Sequence, residues 1–115
     1  MLAPVVTAFG PDLAPDAARL AGHCRWLLGQ GAGLAVFGTN SEANSLSVDE
    51  RLDLLDALVG AGIPPASLLP GTGCCAITDS IRLSARATAL GVRGCLMLPP
   101  FYYKGVSDEG LYRSF

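Results

Sequence analysis

Apolar residues fall into short continuous runs separated by longer amphipathic stretches. Residues 5–9, 33–37, 68–72 and 94–98 are apolar runs of strand length. Between them the spacing changes to three and four. Ala17, Leu20, Cys24, Leu27 and Leu28 share one helical face, as do Val48, Leu52, Leu55 and Val59, and a third helix is expected over 78–89. The punctuation agrees. Pro15 is expected at the first helical position, with Gly29 and Gly31 ending that helix. Ser47-Val48-Asp49-Glu50 reads as a capping box, and Gly60, Gly62, Pro64 and Pro65 break the second helix. Pro70 removes one ladder donor from the third strand, and Pro99-Pro100 ends the fourth. Ser107-Asp108-Glu109 opens a fourth helix. The order is βαβαβαβα. Apolar strands joined by helical crossovers are parallel and covered by their helices. Two α/β architectures satisfy this: four βα units of a (β/α)8 TIM barrel, with residues 1–115 as its N-terminal half and no second domain, or a small open doubly wound sheet.

Composition narrows the function classes. Half of the 115 residues are hydrophobic and only 16% are charged, so the chain expects extensive burial. A net charge of -2 with scattered arginines makes no basic stripe, so nucleic acid is not an expected partner. No apolar stretch has the length of a membrane span, and no charged leader precedes the first strand, so no membrane association and a cytoplasmic location are expected. Cys24, Cys74, Cys75 and Cys95 fit no zinc spacing. Cys24 on a helix and Cys95 in a strand read as small core hydrophobes in a reducing compartment, with no metal.

The polar chemistry lies where strands end. Thr39, Asn40, Ser41 and Glu42 follow the second strand, Gly71-Thr72-Gly73 the third, and Phe101, Tyr102, Tyr103 and Lys104 the fourth. Groups after successive strands at one rim are the barrel arrangement. A doubly wound nucleotide binder carries its glycine-rich turn after the first strand, where this chain has Gly10-Pro11-Asp12. Gly71-Thr72-Gly73 has two readings: a phosphate cradle of exposed amides, or a tight turn using positive φ. Glu42 is expected to brace its loop by accepting backbone N–H bonds. His23 sits on a helix away from any strand end, and Trp26 and Tyr112 read as packing residues.

Gly38-Thr39-Asn40-Ser41-Glu42, Gly71-Thr72-Gly73 and Pro100-Phe101-Tyr102-Tyr103 followed by Ser107-Asp108-Glu109-Gly110-Leu111 together resemble the dihydrodipicolinate synthase / N-acetylneuraminate lyase family, in order along the whole chain. The resemblance implies a (β/α)8 barrel that needs no cofactor. It implies a lyase in which a lysine forms a Schiff base with pyruvate or another 2-oxo acid, and a carbon–carbon bond to an aldehyde partner is then made or broken. It implies that Thr39 hydrogen-bonds a catalytic tyrosine and that Asn40 holds the substrate carboxylate. Tyr103, in preference to Tyr102, is the implied relay tyrosine serving a neighbouring subunit of a homo-oligomer. The family's lysine and acid–base tyrosine belong to later strands. Lys104, the only lysine here, sits in a loop and reads as solvated, whereas an amine nucleophile needs burial to lose its proton near neutral pH.

Overall fold

The computed structural model describes residues 1–115. Its regular elements are β1 (Leu2–Pro4), α1 (Ala17–Gly29), β2 (Gly33–Ala35), α2 (Val48–Gly60), α3 (Ile77–Ala89) and α4 (Asp108–Ser114), with single 3-10 turns at Thr39–Ser41, Ala43–Ser45 and Pro65–Ser67. β1 and β2 pair in parallel, Leu2 opposite Gly33. Residues 68–72 and 94–98 continue the array as short parallel bridges. Leu69 N–H donates to Leu34 O at 2.8 Å and Gly71 N–H to Val36 O at 2.7 Å. Thr72 N–H reaches Leu96 O and Leu96 N–H reaches Pro70 O, both at 2.8 Å. The order is therefore sequential, with the first strand at an edge. That is the barrel order and excludes the doubly wound alternative, which places the first strand inside the sheet.

The first strand lies N-terminal to the expected 5–9. Val5 N–H makes the last bond, to Ala35 O at 2.9 Å, because the chain leaves the β2 direction at Phe37. Pro4 is harmless on this edge strand: the bond from Val5 shows that the neighbouring residue's nitrogen faces away from β2. Pro15 does not open α1. It bridges Phe9 antiparallel, and Asp16 is the cap, its carboxylate accepting from Arg19 N–H at 2.9 Å. The Ser47/Glu50 capping box forms in both directions. α1, α2 and α3 end alike. Ala32, Ile63 and Val92 N–H return to Leu27, Leu58 and Ala87 O, closing over Gly31, Gly62 and Gly91 at φ near +80°, the conformation that favours glycine.

α1 packs on α2 and α2 on α3, forming one layer over the sheet. One core lies between that layer and the strands: Val5, Leu34, Val36 and Leu68 against Leu20, Cys24, Leu54, Leu55, Leu58 and Ala87. The buried stripe of α2 is Arg51, Leu54, Leu55 and Leu58; Leu52 and Val59 are only half-buried at its margins, so the expected stripe is rotated. Trp26 and Tyr112 are exposed rather than packed. Trp26 lies opposite the buried face of α1 and stacks on His23, and α4, which carries Tyr112, buries none of its residues. The strand face away from the helices is open, with Val6 57%, Leu96 40% and Leu98 49% exposed. No helix is long and apolar enough to cross a membrane.

Candidate functional site at the strand ends

The second strand stops at Phe37, buried yet held at φ 56°, a conformation that costs a non-glycine residue about 1–2 kcal/mol. The reason lies across the sheet. A Cβ on Gly71 would sit 2.0 Å from Phe37 O. The two backbones therefore cross at a distance that only glycine permits at position 71. Gly73 is likewise close: its Cβ would lie 2.9 Å from that of Leu98. Neither glycine has positive φ, which corrects the tight-turn reading. The phosphate-cradle reading loses its donors too. Gly71 and Thr72 N–H are used by the neighbouring strands, and Cys74 N–H donates to Ser80 Oγ at 3.0 Å.

After Gly38 the chain turns through Thr39–Ser41. Ser41 is buried and its hydroxyl donates to Val5 O, while Thr7 Oγ1 donates to Ser41 O at 2.6 Å. This reciprocal pair ties the turn to the first strand. Glu42 follows in the left-handed region at φ 55°, exposed, and its carboxylate accepts no hydrogen bond, so the bracing expected of it is done by Ser41 and Thr7. Thr39 and Asn40 are left at the surface. Their N–H groups open the turn and so have no partner within it.

Thr39 lines a pocket of about 210 Å3 with Phe37, Gly38, Asn44, Gly71 and Gly73, walled by Leu96, Met97 and Leu98. Polar groups from two strand ends thus face an apolar wall from a third, the usual make-up of a small-molecule site. Asn40 is adjacent but does not line this pocket, whereas Asn44, not singled out in the sequence, does. Tyr103 is not brought to Thr39. It lines a separate pocket of about 190 Å3 with Cys74, Ile77, Met97 and Pro100, its ring edge-to-face with Tyr102 at 5.4 Å. Tyr102, Tyr103 and Lys104 are all exposed.

Arg51 is the residue that sequence reasoning missed. It is 3% exposed, and its guanidinium donates to Gly71 O at 2.5 Å, Gly73 O at 3.5 Å and Cys74 Sγ at 3.2 Å, holding the third-strand turn from behind. An arginine beside Glu50 at a helix start reads as surface, and only its place in the Leu54/Leu55/Leu58 stripe signals burial. Cys24 and Cys95 behave as core groups. Burial pushes the Cys24 thiol up to about 11, partly opposed by Arg25, and also raises Cys95.

A sequential parallel strand array, helices on one side and a pocket at the strand ends define a portion of a (β/α)8 barrel with its site face. The sequence profile of the Dihydrodipicolinate synthetase family matches residues 1–115, and the chain belongs to that family. An uncharacterized DapA-like lyase of Chloroflexus aurantiacus is 38% identical over 117 residues, covering 100% of this chain and 39% of that protein. The 4-hydroxy-tetrahydrodipicolinate synthase of Symbiobacterium thermophilum is 39% identical over 116 residues, again covering 100% and 39%. Among solved structures, dihydrodipicolinate synthase from Agrobacterium tumefaciens superposes with a TM-score of 0.92 at 35% identity, over 96% of this chain and 39% of that one. A prophage protein of the same family from E. coli K12, solved in complex with pyruvate, gives 0.90 at 30% identity, over 99% and 38%. The chain thus spans about two fifths of the length of the relatives it matches.

Proposed function

We propose that this chain supplies the Thr39 side of a Schiff-base lyase site acting on pyruvate or another 2-oxo acid, with an aldehyde as second substrate and 4-hydroxy-tetrahydrodipicolinate synthase as the specific activity. The observation that carries the reading is the pocket at the ends of the second, third and fourth strands, with Thr39 in its wall. A hydroxyl that both donates and accepts suits a proton relay. Asn40 offers an amide beside it for the substrate carboxylate. Tyr103, on the exposed loop before α4, is available to a neighbouring subunit's site in a homo-oligomer. In the reaction an unprotonated lysine amine attacks the 2-oxo carbon, the relay protonates the departing oxygen, and water leaves as the imine forms. Lys104 is exposed and does not provide that amine. The amine comes from a later strand of the barrel.

Borohydride reduction with pyruvate, read by intact mass spectrometry, tests this. A full-length barrel carrying these residues gives one stoichiometric adduct, and the 115-residue chain gives none. A stoichiometric adduct on Lys104 overturns the division of roles, and no adduct on the full-length barrel removes the lyase reading.

A further inference from the structure

Arg51 is a buried cation without an anion. It is 3% exposed, makes no ion pair with any carboxylate, and donates only to two carbonyls and one sulfur. Its Nε, also buried, has no partner. Buried guanidinium groups are ordinarily paired with negative charge, because removing an unpaired charge from water is costly. The carbonyls that Arg51 grips belong to Gly71 and Gly73, and both glycines line the Thr39 pocket. An uncompensated positive charge therefore stands directly behind that pocket. No charged side chain lines the pocket itself, whose only hydrogen-bonding side chains are Thr39 and Asn44.

We propose that Arg51 is the specificity-determining charge of the Thr39 pocket, selecting anionic 2-oxo acids over neutral 2-oxo compounds. This rests on the Schiff-base reading above and names what selects its first substrate. The guanidinium lies behind the Gly71 and Gly73 peptide groups and touches neither the ligand nor the reacting atoms. It acts through its field, which a protein interior screens far less than water does. A carboxylate entering the pocket loses hydration. Asn40 returns hydrogen bonds to it, and Arg51 supplies the opposite charge. The same anion relieves the guanidinium of its own unpaired burial, so each charge lowers the cost of the other. The two roles of Arg51 are separable. Gripping the Gly71 carbonyl needs only an N–H donor, whereas selecting an anion needs the charge.

The test uses the full-length barrel carrying these residues and two probes, pyruvate and its neutral isostere pyruvamide. Imine is trapped with borohydride and counted by intact mass spectrometry over a range of probe concentrations. Arg51→Gln keeps a donor and removes the charge. It raises the half-saturating pyruvate concentration about tenfold, the order expected of one charge acting over several ångström at an effective dielectric of about 20. The value for pyruvamide stays within about twofold, because a neutral probe gains little from the charge. Arg51→Lys, which keeps a cation, retains most of the preference for pyruvate. Cys74→Asp is the second variant. It places a carboxylate where the sulfur now lies 3.2 Å from Arg51 Nη1, neutralising the charge while leaving the guanidinium in place. It too weakens pyruvate selectively, and it decides the matter should Arg51→Gln lose its circular dichroism. Equal weakening of both probes reduces Arg51 to a structural support and overturns the proposal, as does unchanged pyruvate saturation in the charge-removing variants. A parent barrel that traps neither probe removes the Schiff-base reading itself, and this proposal with it.

Discussion

Replacing Gly71 with alanine places a methyl group 2.0 Å from Phe37 O, 2.7 Å from Phe37 C and 3.2 Å from Gly38 N. All three are backbone atoms, so no side chain can swing aside. Ordinary contact begins at 3.4 Å, so the strands must separate by about 1.4 Å. The bond from Gly71 N–H to Val36 O, now 2.7 Å, does not survive that. A buried donor left unpaired costs about 1–3 kcal/mol, and the accompanying overpacking another 1–3 kcal/mol or so. The expected loss is about 4 kcal/mol, a large share of the 5–15 kcal/mol typical of a whole domain. Gly38→Ala is the matched control. It lies in the same pocket, at φ -91°, with nothing within 4 Å of the added carbon. Urea unfolding followed by circular dichroism, at one fixed protein concentration, compares the two. With a slope of about 2 kcal/mol per molar urea, Gly71→Ala lowers the midpoint by about 2 M. Gly38→Ala leaves it within ~0.5 M. Equal shifts for the two variants would refute the argument that the strand crossing demands glycine.

Cys24 carries an alkaline liability. Its folded pKa is raised from 9.0 to about 11, so its contribution is intact below 9 and lost as pH rises through that interval. Two units correspond to about 3 kcal/mol. The urea midpoint therefore falls between neutral pH and pH ~11, and Cys24→Ala, less stable throughout, shows a flatter profile. An equally steep fall in that variant refutes the assignment. Ser41→Ala leaves Val5 O without its donor and costs about 1–3 kcal/mol by urea titration, whereas Thr39→Val changes stability by less than ~0.5 kcal/mol but impairs turnover in a full-length barrel. The 115-residue chain self-associates through its open strand face and free edges. Analytical ultracentrifugation showing a monodisperse monomer, with cooperative unfolding at high temperature, contradicts this.

The βα alternation was legible because each element carries its own signal: apolar runs, a capping box at Ser47, and a glycine two residues past each long helix. Sequential parallel order followed from the helical crossovers. What escaped depends on neighbours that sequence does not display. The first strand was placed late because propensity favours Val5, Val6 and Thr7, whereas pairing is decided by where β2 turns away at Phe37. The stripe of α2 is rotated from the expected one because Arg51 faces inward with Leu54, Leu55 and Leu58, which its charge does not signal. Thr39 was readable as a strand-end hydroxyl. The carbonyl clamps behind it were not, since Ser41, Gly71 and Arg51 act through backbone atoms remote in sequence.

Those clamps divide the work within one short motif. Three independent supports converge on the crossing of the second and third strand ends: the Thr7–Ser41 pair, the glycine-only contact of Gly71 with Phe37 O, and the Arg51 guanidinium on Gly71 and Gly73 O. Each grips main chain, so the path of residues 37–41 is fixed without any use of the Thr39 hydroxyl, which makes no hydrogen bond in the structure. A side chain held by its backbone keeps its donor and acceptor free for a ligand and needs no rearrangement to meet one. Ser41, one residue from Asn40, is spent wholly on structure, and Thr39 wholly on the pocket. On the role proposed for Thr39, Ser41→Ala is therefore expected to act on stability and Thr39→Val on turnover. That separation follows from which atoms the fold has already consumed.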